Sequence, residues 1–129
     1  MCSSDLIVGS AVSDQPRFKE SPPGYVRGFD ARTGELRWTF HTIPLPGEVG
    51  HDTWRDGSAS YSGNANVWTM TSADPELGYA YLPVGNPPND HYGGHRPGTN
   101  LFANSLLRVE RATGTRVRHL RLAPPVPRA

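Results

Sequence analysis

Apolar and polar residues alternate along this chain in short runs, without the spacing of an amphipathic helix. Seven runs of seven or eight residues are bounded by Gly, Pro, Asp, Asn or Ser, which is typical of strands separated by turns. The predicted strands are DLIVGSAV, YVRGFDA, ELRWTFHT, VWTMTSA, GYAYLPVG, NSLLRVE and TRVRHLRL. The pattern contains no helix signal of useful length and therefore predicts an all-β fold.

Two polar stretches, residues 44–66 and 86–100, are rich in Pro, Gly, Asn and Ser. Loops of this length are uncommon in compact domains unless they are functional. His91 and His95 in the second stretch have the spacing of a helical metal pair, but two glycines lie between them and predict a loop. The chain has no phosphate-binding glycine motif and no nucleophile elbow.

One hairpin pattern occurs twice. Each copy has an acid, a Thr-Gly pair that begins three residues later, and a further position four residues after the glycine. These positions are Asp30, Thr33, Gly34 and Trp38 in the first copy, and Glu110, Thr113, Gly114 and Arg118 in the second. Thr and Gly suit a tight turn, the acid can accept hydrogen bonds from turn amides, and the tryptophan can dock on the next unit. Such repeats predict a propeller or a β-solenoid.

Composition narrows the function classes. The chain has 129 residues, 14 Gly and 13 Pro, and its net charge of +1 gives no global field for nucleic acid or membranes. Six arginines follow from Arg108 onward, and we interpret them as edge-strand residues rather than as a nucleic-acid arm. No apolar segment approaches the roughly 18 residues of a membrane span. The one cysteine, Cys2, has no partner for a disulfide or a zinc site, and no role is assigned to it.

The spacing D-x-x-T-G-x-x-x-W resembles the tryptophan-docking motif of the eight-bladed propellers of pyrroloquinoline-quinone (PQQ) dependent dehydrogenases. Three further segments are similar to this family: IVGSAVSDQ, NVWTMTSADPELGYAYLPVGN and NDHYGGHRPGTNLFANSLL, the last resembling the glucose and polyol branch. The resemblance implies an all-β, partial β-propeller of about two of the eight blades, with residues 1–129 as a single fragment of the propeller domain.

The resemblance also implies cofactors and site residues. Trp68 would form the floor beneath PQQ, and Asp14 and Asn86 would bind calcium, which takes oxygen ligands. In such enzymes calcium polarises the quinone carbonyl, a separate aspartate takes the substrate proton, and a hydride passes to the quinone. The implied substrates are sugars, polyols or alcohols. Electrons would pass to ubiquinone or another respiratory acceptor, and the implied location is the periplasm, with any inner-membrane anchor outside this chain.

The sequence also departs from the family. The His-His-Asp-x-Trp-Asp-like stretch that carries the catalytic aspartate is absent, so no catalytic residue is assigned. Residues 115–129 diverge, as a frameshift near Gly114 or a truncation would produce, and residues 1–6 are expected to be a non-native leader. We therefore expect the chain to be inactive alone and at best marginally folded, with Trp38 lacking a complete neighbour.

Other interpretations stay open at this point. Trp68 could be a core residue, Asp14 and Asn86 could be ordinary turn formers, and the hairpins could belong to an unrelated sandwich or to a translated fragment without a cellular role. A non-catalytic periplasmic propeller scaffold would share the repeats but would not need Asp14, Trp68 and Asn86 together. Calcium-dependent binding of the quinone separates the enzyme from the scaffold.

Overall fold

The computed structural model describes residues 5–12 and 19–123. Within these residues the strands are β1 (Asp5–Val8), β2 (Val26–Asp30), β3 (Leu36–Phe40), β4 (Ser72–Asp74), β5 (Tyr79–Val84), β6 (Ser105–Glu110) and β7 (Arg116–Arg121). Two short 3-10 helices, His51–Thr53 and Ser58–Ser60, complete the regular structure of the described part. The all-β prediction is confirmed. No helix in the described ranges is long and apolar enough to cross a membrane.

The strands form two antiparallel sheets in chain order, β1-β2-β3 and β4-β5-β6-β7. Such consecutive meanders are the arrangement of propeller blades. β1 begins at Asp5, inside the stretch 1–6 that was expected to be a leader, and Asp5 forms ion pairs with Arg37 at 3.0 Å and with Arg111 at 3.4 Å. That residues 1–6 are a non-native leader stays a prediction.

The prediction of one strand is mostly wrong. VWTMTSA was expected to be extended along its length, but β4 begins only at Ser72, so Trp68 lies outside the sheet. The ladder pairs Ser72 with Tyr81 and ends as it approaches Pro83 of β5, which has no N–H group to donate. The residues before Ser72 instead form the last part of a long connection.

The two repeated hairpins have matching ladders. Gly28 of β2 pairs with Trp38 of β3, and Arg108 of β6 pairs with Arg118 of β7. Each ladder has a register shift immediately after this pair on the first strand of its hairpin. Trp38 and Arg118 therefore occupy equivalent positions, as the sequence repeat predicted.

Trp38 joins the two sheets. Its side chain is only 8% exposed, and its indole lies against both Gly28 and Gly114, where an added Cβ would come within 2.2 and 2.5 Å of the ring. Its Nε1 donates a hydrogen bond to the carbonyl oxygen of Arg111 at 2.9 Å. The expectation that Trp38 has no complete neighbour is wrong, because the turn of the second hairpin receives it.

The core lies between the facing sides of the two sheets. β5 alternates half-buried and buried positions along its length, so that one face is covered. The buried apolar residues of the core include Val26, Trp38, Ala80, Leu82, Val84, Leu107 and Val109 from the strands, and Ile43, Trp54 and Phe102 from the connections. The long connections are thus part of the packed structure.

Short turns and long connections alternate along the antiparallel strands, so residues 41–71 and 85–104 emerge at the same end of the sheets. This end is called the long-loop face below. The two connections bond to each other: Arg55 N–H donates to Pro97 O at 2.9 Å, and Asn100 N–H donates to Thr53 O at 3.2 Å. Residues 44–66, residues 86–100 and Trp68 therefore lie on one face.

Candidate functional site

Trp68 presents its indole to solvent on the long-loop face. It is 70% exposed, whereas the preceding Val67 is buried and its carbonyl oxygen closely approaches Gly9. The backbone is therefore anchored while the side chain stays uncovered. Within the described residues Trp68 is therefore not part of the core. An exposed large aromatic surface on an anchored backbone is suited to stacking against a flat ligand.

Asn86 follows directly after β5, and its amide group has two partners. Asn104 Nδ2 donates to Asn86 Oδ1 at 3.0 Å, and Asn86 Nδ2 donates to Asp90 Oδ1 at 3.3 Å. A carboxylate only accepts hydrogen bonds, so the amide nitrogen of Asn86 faces Asp90. The oxygen keeps a second lone pair, which is the kind of group that calcium binds.

Gly85 brings Trp68 and Asn86 together. An added Cβ at Gly85 would lie 3.3 Å from Trp68 Nε1, so the indole packs beside the residue that precedes Asn86. The Gly85 N–H group donates to Asn66 O at 2.9 Å, and its carbonyl accepts from Asn104 N–H at 3.2 Å. The structure therefore places the predicted quinone platform and one predicted calcium ligand side by side.

Asp14, the other predicted calcium ligand, lies outside the described residues, so its position stays a prediction. The chain before it does reach the site, because Asn66 Nδ2 donates to the carbonyl oxygen of Ser10 at 2.7 Å. Within the described ranges no group of three or more His, Cys, Asp or Glu side chains is placed to hold a metal. A cation at Asn86 would therefore need further oxygen ligands, and the family resemblance implies Asp14 as one of them.

Arg96 holds the loop that carries Asp90. Its guanidinium is buried, with the residue only 3% exposed, and donates to the carbonyl oxygens of Pro88 at 3.3 Å and Asn89 at 3.1 Å. The guanidinium also donates a hydrogen bond to Asn100 Oδ1 at 3.2 Å. Burial lowers the pKa of Arg96, because desolvation penalises its charged form.

Sequence reasoning missed Asp90, Arg96 and Asn104. A signal for two of them existed, because Asp90 and Arg96 are the only charged residues, Asp, Glu, Lys or Arg, in the stretch 86–104. Asn104 gave no comparable signal. The predicted loop character of His91 and His95 is confirmed, and the His95 ring nitrogen Nε2 lies 2.9 Å from the carbonyl oxygen of Pro88.

The sequence matches a known enzyme family. The profile described as PQQ glucose/ethanol/alcohol dehydrogenase, β-propeller domain, matches residues 1–123. Quinohemoprotein alcohol dehydrogenase ADH-IIG of Pseudomonas putida is 34% identical over 113 residues, covering 78% of this chain and 16% of that enzyme. Quinoprotein glucose dehydrogenase A of Acinetobacter calcoaceticus is 33% identical over 119 residues, covering 86% and 14%. The chain therefore spans only 14 to 16% of the length of these relatives.

Solved structures agree with this match. The quinohemoprotein alcohol dehydrogenase ADHIIG from Pseudomonas putida HK5 superposes with a TM-score of 0.80 at 29% identity, covering 96% of this chain and 19% of that one. A europium-containing methanol dehydrogenase shares the fold, with a TM-score of 0.75 at 19% identity over 96% of this chain and 24% of its own. The predicted partial β-propeller is confirmed. This chain belongs to the PQQ-dependent glucose/ethanol/alcohol dehydrogenase family and forms part of its β-propeller domain.

Proposed function

We propose that the chain supplies part of the cofactor face of a periplasmic, calcium-containing PQQ dehydrogenase that oxidises sugars, polyols or alcohols. The observation that carries this proposal is the solvent-facing indole of Trp68 beside the oriented amide of Asn86. An indole face suits a flat tricyclic quinone, and an amide oxygen suits a hard cation. The described residues thus offer a stacking surface for the quinone and one oxygen ligand for the cation.

Each residue has a defined part in this proposal. Trp68 provides the stacking platform, and Asn86 presents Oδ1 to the cation with help from Asp14, whose role is carried over from the family resemblance. When bound, the quinone supplies a hydride acceptor and the cation supplies Lewis acidity. None of this chain's residues is assigned as the proton acceptor. Ubiquinone or another respiratory carrier is the proposed electron acceptor, and we propose that the chain has no turnover alone.

A non-catalytic scaffold with the same repeats is the alternative function. Such a protein would have the hairpins and the docked Trp38, but it would have no use for an uncovered tryptophan beside an oriented amide. The two relatives described above bear enzyme names, which supports the dehydrogenase proposal.

A binding titration tests the proposal. PQQ is titrated into the 129-residue chain with calcium and with a chelator, and the Kd is measured for the native chain, Trp68→Ala and Asn86→Ala. Met70→Ala is the matched control, because Met70 is 90% exposed and lies two residues from Trp68.

We expect calcium-dependent binding that weakens about tenfold or more in Trp68→Ala, which is roughly 1.4 kcal/mol, and that loses its calcium dependence in Asn86→Ala. Met70→Ala should bind like the native chain. Binding that is unchanged by calcium and by Trp68→Ala would favour the scaffold instead.

A further inference from the structure

The side-chain amide of Asn86 can serve a cation only in one of its two orientations, since only its oxygen is a ligand atom. Two neighbouring side chains distinguish these orientations. We infer that Asp90 and Asn104 are positioning residues that hold the amide of Asn86 with Oδ1 available to a divalent cation; this inference rests on the proposed function of Asn86 as a calcium ligand.

The two contacts act together. In the observed orientation Asn104 Nδ2 donates to Asn86 Oδ1, and Asn86 Nδ2 donates to Asp90 Oδ1. A half-turn of the amide would place its NH2 group against the NH2 group of Asn104 and its oxygen against the Asp90 carboxylate. Both hydrogen bonds would be lost and two repulsive contacts would replace them. The pair therefore selects one orientation.

Asp90 is held in place by its own loop. The buried guanidinium of Arg96 donates to the carbonyl oxygens of Pro88 and Asn89, the two residues that precede Asp90. Asn89 Oδ1 also accepts a hydrogen bond from the N–H group of His91 at 3.1 Å, across Asp90. The carboxylate is thus carried on a backbone that has contacts on both sides.

Asn104 is fixed by its backbone. Its φ of 50° lies in the left-handed region, where asparagine is one of the more frequent residues. Its N–H group donates to Gly85 O at 3.2 Å, and its carbonyl accepts from Leu122 N–H at 2.8 Å. These bonds join Asn104 to the residue before Asn86 and to the end of β7, so its side chain has a defined direction toward the amide.

Calcium binding to the 129-residue chain, without PQQ, tests the inference by isothermal titration calorimetry. Asn104→Gly removes the donor and tolerates the left-handed backbone. Asp90→Ala removes the acceptor, and Asp90→Asn keeps an acceptor oxygen while removing the charge. Glu76→Ala removes an acid from the turn at the opposite end of the sheet and controls for net charge. Amide ¹H–¹⁵N spectra of each variant establish that the fold is retained.

We expect Asn86→Ala to abolish binding, and Asn104→Gly and Asp90→Ala to weaken it 10-fold to 100-fold, the range typical of residues that orient a ligand. Asp90→Asn should recover most of the affinity, and Glu76→Ala should change little. If Asn104→Gly and Asp90→Ala bind calcium as tightly as the native chain while Asn86→Ala does not bind it, the positioning role is wrong. The ligand role of Asn86 would still hold in that case. Equal losses in Asp90→Ala and Asp90→Asn would show that Asp90 acts by charge and not by position. If the native chain and Asn86→Ala bind calcium alike, both the inference and the proposed ligand role fail.

Discussion

The hairpins β2–β3 and β6–β7 have nearly the same turn but opposite roles at the junction between the sheets. In both, the glycine N–H group donates to the carbonyl oxygen of the acid at 2.8 Å, and the glycine has a positive φ of 76° in Gly34 and 69° in Gly114. The first hairpin contributes Trp38, whereas the second contributes the turn that receives it. Turn chemistry and tryptophan docking are therefore separable features of this repeat.

The second hairpin has an arginine at the position equivalent to Trp38. Arg118 is exposed at the ladder position that Trp38 occupies in the first hairpin. An open cavity of about 330 Å³ lies on that side of the sheet and is lined by Tyr81, Leu106, Arg108, Arg118, His119 and Leu120. The acids also differ: Asp30 Oδ1 accepts from the N–H groups of Arg32 and Thr33, whereas Glu110 Oε2 accepts from the hydroxyl of Thr113.

The largest effect is expected from removing the docked indole. Trp38→Ala would leave a cavity between the sheets and remove the bond to Arg111, and we expect a destabilisation of about 3 to 5 kcal/mol, which would abolish the cooperative transition of a marginally stable chain. Urea denaturation followed by circular dichroism measures it. Met70→Ala, at an exposed position, should have little effect; equal losses in both variants would contradict the docking role.

The two turn glycines give a matched pair of smaller effects. Gly34→Ala has open space around its new Cβ and should cost about 1 kcal/mol from the positive φ alone. Gly114→Ala has the same backbone strain, and its Cβ would also lie 2.5 Å from the Trp38 ring, so we expect a total of about 3 kcal/mol. The same denaturation experiment compares them. Equal costs at the two glycines would mean that Trp38 does not pack on the second turn in solution.

Asp30 gives the first hairpin a pH dependence. Hydrogen bonds from the N–H group of Arg32, the side chain of Arg37 and the N–H group of Thr33 lower the pKa of Asp30 to about 2. Because the folded pKa lies below the ordinary value of about 3.9, this stabilisation is complete above that value and is lost as the pH falls through about 2.

We expect Asp30→Asn to flatten the stability curve between about pH 4 and pH 2. The measurement is the urea midpoint as a function of pH, with Glu110→Gln as the matched change in the other turn. If the urea midpoint of Asp30→Asn depends on pH as steeply as that of the native chain, Asp30 is not the source of this pH dependence.

The smallest effect is expected from restoring the repeat. Arg118→Trp recreates the docking residue on the exposed side of β7, where the described residues offer no glycine turn to receive it. We expect a change within about 0.5 kcal/mol, as for other surface substitutions. A clear gain in the thermal midpoint at low protein concentration, with no change in oligomeric state, would contradict this expectation.

The features that sequence reasoning predicted are those with local causes. The turn at Thr33 and Gly34 needs only its own residues, and so do the ends of the strands that it joins. The docking of Trp38 on Gly114 joins residues far apart in the chain, and the sequence of the second hairpin does not predict it, because the residues that receive the indole belong to its turn and not to the position of Arg118. The position of Trp68 outside β4 depends on where its ladder to β5 ends, which the apolar run itself does not specify.

The candidate site was predicted only in part. Trp68 and Asn86 were identified through a family resemblance, and the structure places them side by side. The Asn86 amide donates to Asp90 in a loop and accepts from Asn104, whose own backbone is left-handed. No periodicity or composition signal encodes such contacts, because they depend on how two connections pack together.

Tryptophan fluorescence during PQQ titration tests the central claim most directly. Trp68 is exposed while Trp38 and Trp54 are buried, so its emission should lie at longer wavelength and can be followed separately. We predict that PQQ with calcium quenches this long-wavelength component, and that Trp68→Phe removes the quenching. Bound PQQ that leaves the emission of Trp68 unchanged would contradict the assignment of Trp68 as the quinone platform.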